Sequence, residues 1–397
     1  MTQEIVESRL VPSPAQNLPS RLPSLTGARF IAAGLVFFCH ATLLYPLAAP
    51  GAQTTLATLF TNGGFTGVTF FFMLSGFVLA WSVRPGDTAP KFWRRRFFKI
   101  YPNHLLTFLA ALILLTGVTK ATIHGWDGVL NVLLLQSWHP DLMVRTNFNV
   151  VAWSLSCEAL FYFCFPFLLK LIDKVRPERL WFWTILSAAS VISIPTFAKL
   201  MPSGQPFPGQ GYTDWELWFV FHFPPVQMLT FIFGIFLAKI VLAGRPLPLK
   251  LGGAVGLTVG AYFVTSLFGP LYQFTAVMLV PLGLLIAAGA ATDVDRQPTF
   301  LGNKLMVWLG DISFAFYMWH YMVLVYGHHW LGAGENWSTP TAAAVMILLF
   351  AVTLVLSWAT FTFVERPIMK RFATSRRKRD PAVATAGATG NHTDRVA

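Results

Sequence analysis

Charge is scarce in this chain. Of its 397 residues only 12% are charged, while 55% are hydrophobic and the mean hydropathy is +0.57; soluble domains carry about a quarter charged residues. That balance excludes an ordinary water-soluble domain and implies a polytopic membrane protein. Cysteine is rarer still. Cys39, Cys157 and Cys164 all fall in predicted spans, with no spacing that suggests a metal site or a disulfide framework; they read as small apolar filler. Acidic residues are few, leaving a net charge of +12. Basic residues interleaved with long apolar runs mark cytoplasmic loops and anionic headgroups, so membrane lipids are the expected partner and nucleic acid is not. Residues 1–22 lack a short apolar core followed by a small-residue cleavage site, so the first span is expected to be an uncleaved signal-anchor.

What is abundant is apolar sequence in blocks near the roughly 20 residues that a bilayer requires. The expected spans lie near residues 28–47, 65–83, 100–118, 150–171, 181–199, 219–242, 251–268, 271–291, 305–326 and 341–363. The run 128–138, GVLNVLLLQSW, is too short to cross easily and reads as re-entrant or interfacial. Charge bias arbitrates. With an inside N-terminus, all but Lys120, Arg145 and Lys199 of the 29 Lys and Arg residues face the cytoplasm. An eleventh span would expel KLIDKVRPER and the basic tail KRFATSRRKR. The expected fold is an all-α polytopic membrane helix bundle, about ten transmembrane helices plus one short re-entrant or interfacial helix. Residues 1–22 are expected as a disordered cytoplasmic N-terminus, 23–370 as the membrane domain and 371–397 as a disordered basic cytoplasmic tail. The expected location is the plasma (inner) membrane, with both termini cytoplasmic.

Within that apolar background, a few polar residues stand out. RFIAAGLVFFCH places Arg29 and His40 eleven residues apart, nearly on one helix face and roughly 16 Å apart along the axis. A His in hydrocarbon is a functional candidate by default; the structural alternative is an interfacial anchor and a hydrogen-bonded core histidine. The loop after the second span carries Arg94, Arg95, Arg96 and Lys99. Such a cluster can simply enforce orientation, or its guanidinium forks can hold phosphates. Glu158 is, besides Asp311, the one carboxylate in any predicted span and needs a partner or a proton. Tyr317 and His320 lie three apart on one face. His40, Glu158 and His320 fall roughly 9 to 12 Å below the outer ends of their spans, at about one level. An outer loop with Tyr212, Trp215 and Trp218 suits sugar stacking or headgroup contact.

Six runs also carry a resemblance: SLTGARFIAAGLVFFCH, GVTFFFMLSGF, RRFFKIYP, WSLSCEALFY, FAFYMWH and VERP, in that order across residues 24 to 370. They resemble the successive motifs of the membrane-bound acyltransferase family 3. The resemblance implies an O-acyltransferase moving an acyl group, often acetyl, from acyl-CoA to a hydroxyl of a sugar, polysaccharide precursor, lipid or macrolide. It places the family's Arg and His pair on Arg29 and His40, its basic motif on Arg96 and Lys99, its WSLS-E motif on Trp153, Ser154 and Glu158, and its Tyr-x-x-His on Tyr317 and His320. Ser75, Glu365 and Arg366 fall in the remaining motifs. Gln227 and Thr230 depart from the pattern, standing where similar members often have Arg and Glu. The compact form is similar to bacterial enzymes that O-acylate macrolides and to single-domain sugar O-acetylases.

The mechanism expected on this basis has acyl-CoA, as co-substrate with no bound cofactor, arriving from the cytoplasm. Its phosphates would meet Arg29, Arg94, Arg95, Arg96 and Lys99, and its pantetheine arm would run toward His40. His40 would act as general base on the acceptor hydroxyl, with Glu158 orienting it and Tyr317 or His320 bonding the oxyanion; a covalent acyl-His40 is the alternative. A thioester needs no metal, and no metal-ligand cluster is evident. The rival class is a proton-coupled secondary transporter or flippase using the buried His and Glu as a relay, and a catalytically idle scaffold is a third.

Overall fold

Inside a bilayer the backbone has no water to bond, so a crossing chain must close its own hydrogen bonds. Helices accordingly dominate the computed structural model, which describes residues 18–44, 49–84, 86–202, 204–207, 209–332 and 337–373. In chain order they are α1 (Pro23–Leu44), α2 (Pro50–Phe60), α3 (Gly63–Trp81), α4 (Ala89–Gly117), α5 (Gly125–Val132), α6 (Leu142–Thr146), α7 (Trp153–Ile172), α8 (Leu180–Ala198), α9 (Asp214–Leu217) and α10 (Pro224–Leu242). There follow α11 (Leu251–Val264), α12 (Pro270–Gln273), α13 (Ala276–Val294), α14 (Lys304–Gly332) and α15 (Thr339–Thr360), which continues helically to Ala373.

Among the described residues, each expected span is built on a helix. Eight helical stretches among the described residues are long and apolar enough to cross a membrane by length and composition. The other two sites are α11, which is shorter, and α14, whose 29 residues include Asp311, Ser313, Tyr317 and His320. Two further observations refine the expected layout. The short helix α2 lies outside all ten expected spans, and the helix of the third span begins at Ala89, inside the basic loop, so that Arg94 to Lys99 sit on helix α4. The expected terminal segments lie, over 1–17 and 374–397, outside the described residues.

The run 128–138 does not cross. It forms the eight-residue α5 and a single 3-10 turn, Gln136–Trp138. Its irregular backbone is bonded by protein: Ser156 Oγ donates to the Leu134 carbonyl at 2.5 Å, and Gln136 and Ser137 donate to the carbonyls of Ala152 and Trp153 at 2.9 and 2.7 Å. Such backbone is tolerated at depth only where protein covers it. The segment thereby fixes the start of α7.

Close backbone approach sets the core. A Cβ on Gly76 would fall 2.0 Å from the Phe231 carbonyl oxygen, and one on Gly234 equally close to that of Met73, so α3 and α10 touch through glycine as small-residue membrane interfaces do. The N-terminus of α1 is tied across the bundle instead of by its own cap. Asp293 of α13 accepts from the Ser24 amide at 3.0 Å and from its hydroxyl at 2.6 Å, satisfying a free N–H at the helix end that favours an anion.

A ten-span topology has a direct test in membrane-impermeant thiol labelling of intact cells. Lys120→Cys and Lys199→Cys should label from outside, and Lys174→Cys only after lysis. Labelling of Lys174→Cys in intact cells would restore an eleventh span.

Candidate active site

Five helices enclose a chamber of about 150 Å³, lined by Arg29, Ser75, Arg96, Lys99, Ser154, Glu158, Tyr162 and Tyr317 among apolar neighbours. Each helix contributes one face. Ser154, Glu158 and Tyr162 are four apart on α7 and point one way, as α3 does with Val68, Phe71, Phe72, Ser75, Val78 and Leu79.

The basic run splits by the same geometry. Arg96 and Lys99, three apart, face the chamber, whereas Arg95, about 100° round from Arg96, is ion-paired with Asp87. Arg94 is exposed and lines neither the chamber nor its neighbour. The five expected cations do not all line one chamber: Arg29, Arg96 and Lys99 converge, Arg95 lines the adjoining recess and Arg94 lies at the surface. Arg95 holds the Asp87 carboxyl below the usual carboxylate range. That recess, on the side of the loop between α3 and α4, is lined by Arg84, Asp87, Arg95, Lys170 and Asp173, and shares Leu79 and Arg96 with the chamber. Arg96 thus stands at the neck between the two.

Each charge in the chamber has its own setting. The Arg96 guanidinium lies over the rings of Phe92 and Tyr162, 5.5 and 5.9 Å from their centroids. Nε of Arg29 and Nε of Arg96 are buried without a hydrogen-bond partner, donors available to a ligand anion. Lys99 is already paired with Glu365, which also accepts from Asn103 Nδ2 at 2.6 Å. Glu365 of the VERP run therefore holds Lys99, while Arg366 is exposed.

Glu158 is the main correction. It does not orient His40. Its carboxyl group shares the chamber lining with Tyr162, Ser75, Arg29 and Arg96, whereas the ring partners of His40 are His320 and Tyr321. The shared level of the three groups is also corrected. Tyr317 O–H meets Ser154 Oγ at 3.0 Å and the Val151 carbonyl at 3.2 Å. From that contact His320 lies one turn outward on α14 and Glu158 one turn inward on α7, about 10 Å apart along the axes.

His40 Nδ1 and His320 Nε2 are 2.9 Å apart, and His320 Nδ1 is 2.7 Å from the Tyr317 carbonyl oxygen. Both nitrogens of His320 are therefore engaged, which removes it as an oxyanion donor. Trp153 is buried and packs on His222 with centroids 4.3 Å apart, outside the chamber lining. Gln227 and Thr230 are buried on α10 away from it, Gln227 Nε2 donating to the Val220 carbonyl at 2.9 Å. Among the described residues no group of His, Cys, Asp and Glu could hold a metal ion.

A family model described as an acyltransferase domain, of type 3, matches residues 22–362. The chain belongs to the acyltransferase 3 family. This acyltransferase is 40% identical over 378 residues to acyltransferase MdmB of Streptomyces mycarofaciens, covering 93% of this chain and 96% of that one. It is 21% identical over 376 residues to the peptidoglycan O-acetyltransferase OatA of Listeria monocytogenes, and 22% over 386 residues to the O-acetyltransferase OatA of Staphylococcus aureus. These matches cover 88% and 89% of the acyltransferase but only 56% and 58% of the two longer proteins. No solved structure matches it.

The residues that sequence reading missed in the acyltransferase are Tyr162, Asn103 and Phe71. Tyr162 carried a signal, four residues after Glu158. Asn103 lies four after Lys99, but its tie to Glu365 is long-range, and Phe71 is one phenylalanine among 37.

Because Glu158 shares the chamber with Arg29 and Arg96, Glu158→Ala should lower the thermal stability by leaving the two cations without a nearby carboxyl group. Adding Arg96→Met should recover part of that loss in a thermal unfolding series. Strictly additive losses would show that the two side chains do not share a charge site.

Proposed function

We propose that this acyltransferase moves an acyl group, acetyl foremost, from acyl-CoA to a hydroxyl of a sugar, a glycolipid or exopolysaccharide precursor, or a macrolide-type secondary metabolite. The observation that carries the reading is the convergence of Arg29 and Arg96, with unpartnered Nε donors, on one chamber whose far wall, Tyr317, adjoins the His40–His320 pair. The protein would lie in the plasma membrane with both termini cytoplasmic, the recess and neck opening inward. CoA phosphates meet Arg96 first and Arg29 deeper, Arg95 contributing from the recess, and the pantetheine arm runs up the chamber.

His40 accepts the proton of the acceptor hydroxyl as its oxygen attacks the thioester carbonyl. The C–O bond forms, the tetrahedral intermediate collapses, the C–S bond breaks, and His40 returns the proton to the departing thiolate. Tyr317 O–H, at the outer end of the chamber, turns from Ser154 Oγ and the Val151 carbonyl to donate to the carbonyl oxygen. The reading requires the acyl end to pass Phe71 and Tyr317, whose rings meet edge to face with centroids 6.0 Å apart. Once the acyl group has passed, those rings shield the thioester from cytoplasmic water.

His40→Ala should abolish transfer of label from acetyl-CoA, with expression intact; retained transfer eliminates the base assignment. A transporter would instead show proton-coupled flux without release of CoA. Loss of a charge-assisted contact of about 1.5 to 3 kcal/mol predicts that Arg96→Ala raises KM for acetyl-CoA roughly 10-fold or more. Arg95→Ala should do so less and Arg94→Ala not at all. Equal effects of the three would dissolve the neck.

A further inference from the structure

We infer that His320 is a positioning residue that fixes the tautomer of His40, so that the proton acceptor in catalysis is Nε2 of His40 and not Nδ1. The inference rests on the reading of His40 as the base and adds which atom acts and what holds it. A carbonyl oxygen can only accept. The Tyr317 carbonyl, 2.7 Å from His320 Nδ1, therefore requires the hydrogen of a neutral His320 on Nδ1, and Nε2 bears the lone pair. That lone pair faces His40 Nδ1 at 2.9 Å, so Nδ1 of His40 carries the hydrogen. The second nitrogen, Nε2, is left with the lone pair. One helix carbonyl thus determines the state of two rings.

The same contacts serve the protonated state. When His40 Nε2 takes the hydroxyl proton, Nδ1–H still donates to His320 Nε2, and His320 gives up nothing to the carbonyl. His320 therefore supports the imidazolium without accepting a proton itself, the part that an orienting carboxylate plays in a hydrolase triad, here played by a second imidazole. Packing keeps the geometry. His320 is fully buried between Phe37 and Phe316, ring centroids 6.4 Å away on each, and the His40 ring is fixed by Tyr321 at 5.1 Å, edge to face. His40 lies on α1 and His320 on α14, so the relay also locks the two helices in register.

Nitrogen-15 spectra of the full chain labelled at histidine, in lipid nanodiscs, test the assignment directly. Resonances are assigned by their disappearance in His40→Gln and His320→Gln. We expect an unprotonated-type Nε2 for His40 and a protonated-type Nδ1; a protonated Nε2 overturns the inference. Kinetics give the second arm, read as CoA released from acetyl-CoA by membranes bearing the chain. His320→Ala should lower the maximal rate about 10²-fold with KM for acetyl-CoA within about threefold. His320→Gln, whose amide oxygen can accept from His40 Nδ1, should recover at least tenfold of that loss. Full activity of His320→Ala, or no recovery by a well-folded Gln variant, overturns the positioning role. If His40→Ala itself keeps the wild-type rate, the base reading falls instead, and the tautomer is then judged on the spectra.

Discussion

A guanidinium at bilayer depth persists only where protein supplies what lipid cannot: an anion, a ring face or a wet cavity. Arg96 has all three, and Arg29 the first and the last. Glu158 provides the anion, Phe92 and Tyr162 the rings for Arg96, and the chamber the space. The rest of the arrangement follows from meeting that requirement. Helix α4 must turn Arg96 and Lys99 inward, which throws Arg94 outward; the end of α15 must reach back so that Glu365 matches Lys99; and α7 must run Ser154, Glu158 and Tyr162 down one face. A charged side chain costs so much in hydrocarbon that it selects the helix rotation more firmly than any apolar stripe.

That is also why the fold was largely legible in the sequence and the site only partly so. Span positions follow from hydropathy, because the bilayer sets a length that each helix must meet, and the short run at 128–138 declares itself by falling below it. Arg29 with His40 and Ser154 with Glu158 follow from helical spacing. Which helix each side chain meets does not. Counting residues from predicted span ends put Glu158 level with His40, but the 3-10 turn Val150–Ala152 and the start of α7 at Trp153 set the helix start independently of the hydrophobic boundary. The Tyr317–Ser154 contact, invisible in either local sequence, fixes the true offset. Short helix α2 was missed for a related reason, since TTLATLF between two small-residue turns carries too little hydrophobic length to register as a span.

The offset divides α1 between two tasks. Its inner half presents Arg29 to the chamber; its outer half presents His40 to α14. Between them lie Phe71 and Tyr317, which wall the chamber, Tyr317 packing on the His320 ring beyond it. In the proposed reaction the acyl-CoA donor and the hydroxyl acceptor have different needs, one for cations, the other for a base. On the proposed reading, the ring wall keeps a donor held by the chamber's cations shielded from water where it meets the imidazole pair.

The same logic explains why His40 pairs with a histidine and not with the nearby carboxylate. Glu158 next to the imidazole would leave Arg29 and Arg96 without a carboxyl group in their chamber and would add a charge beside the histidine pair. An orienting group that brings no charge avoids both. A helix carbonyl has a second lone pair beyond its own ladder bond, and Tyr317 lends it to His320 at no electrostatic cost. The direction of every hydrogen in the pair is then inherited from the backbone of α14, the least mobile source of polarity available inside a membrane.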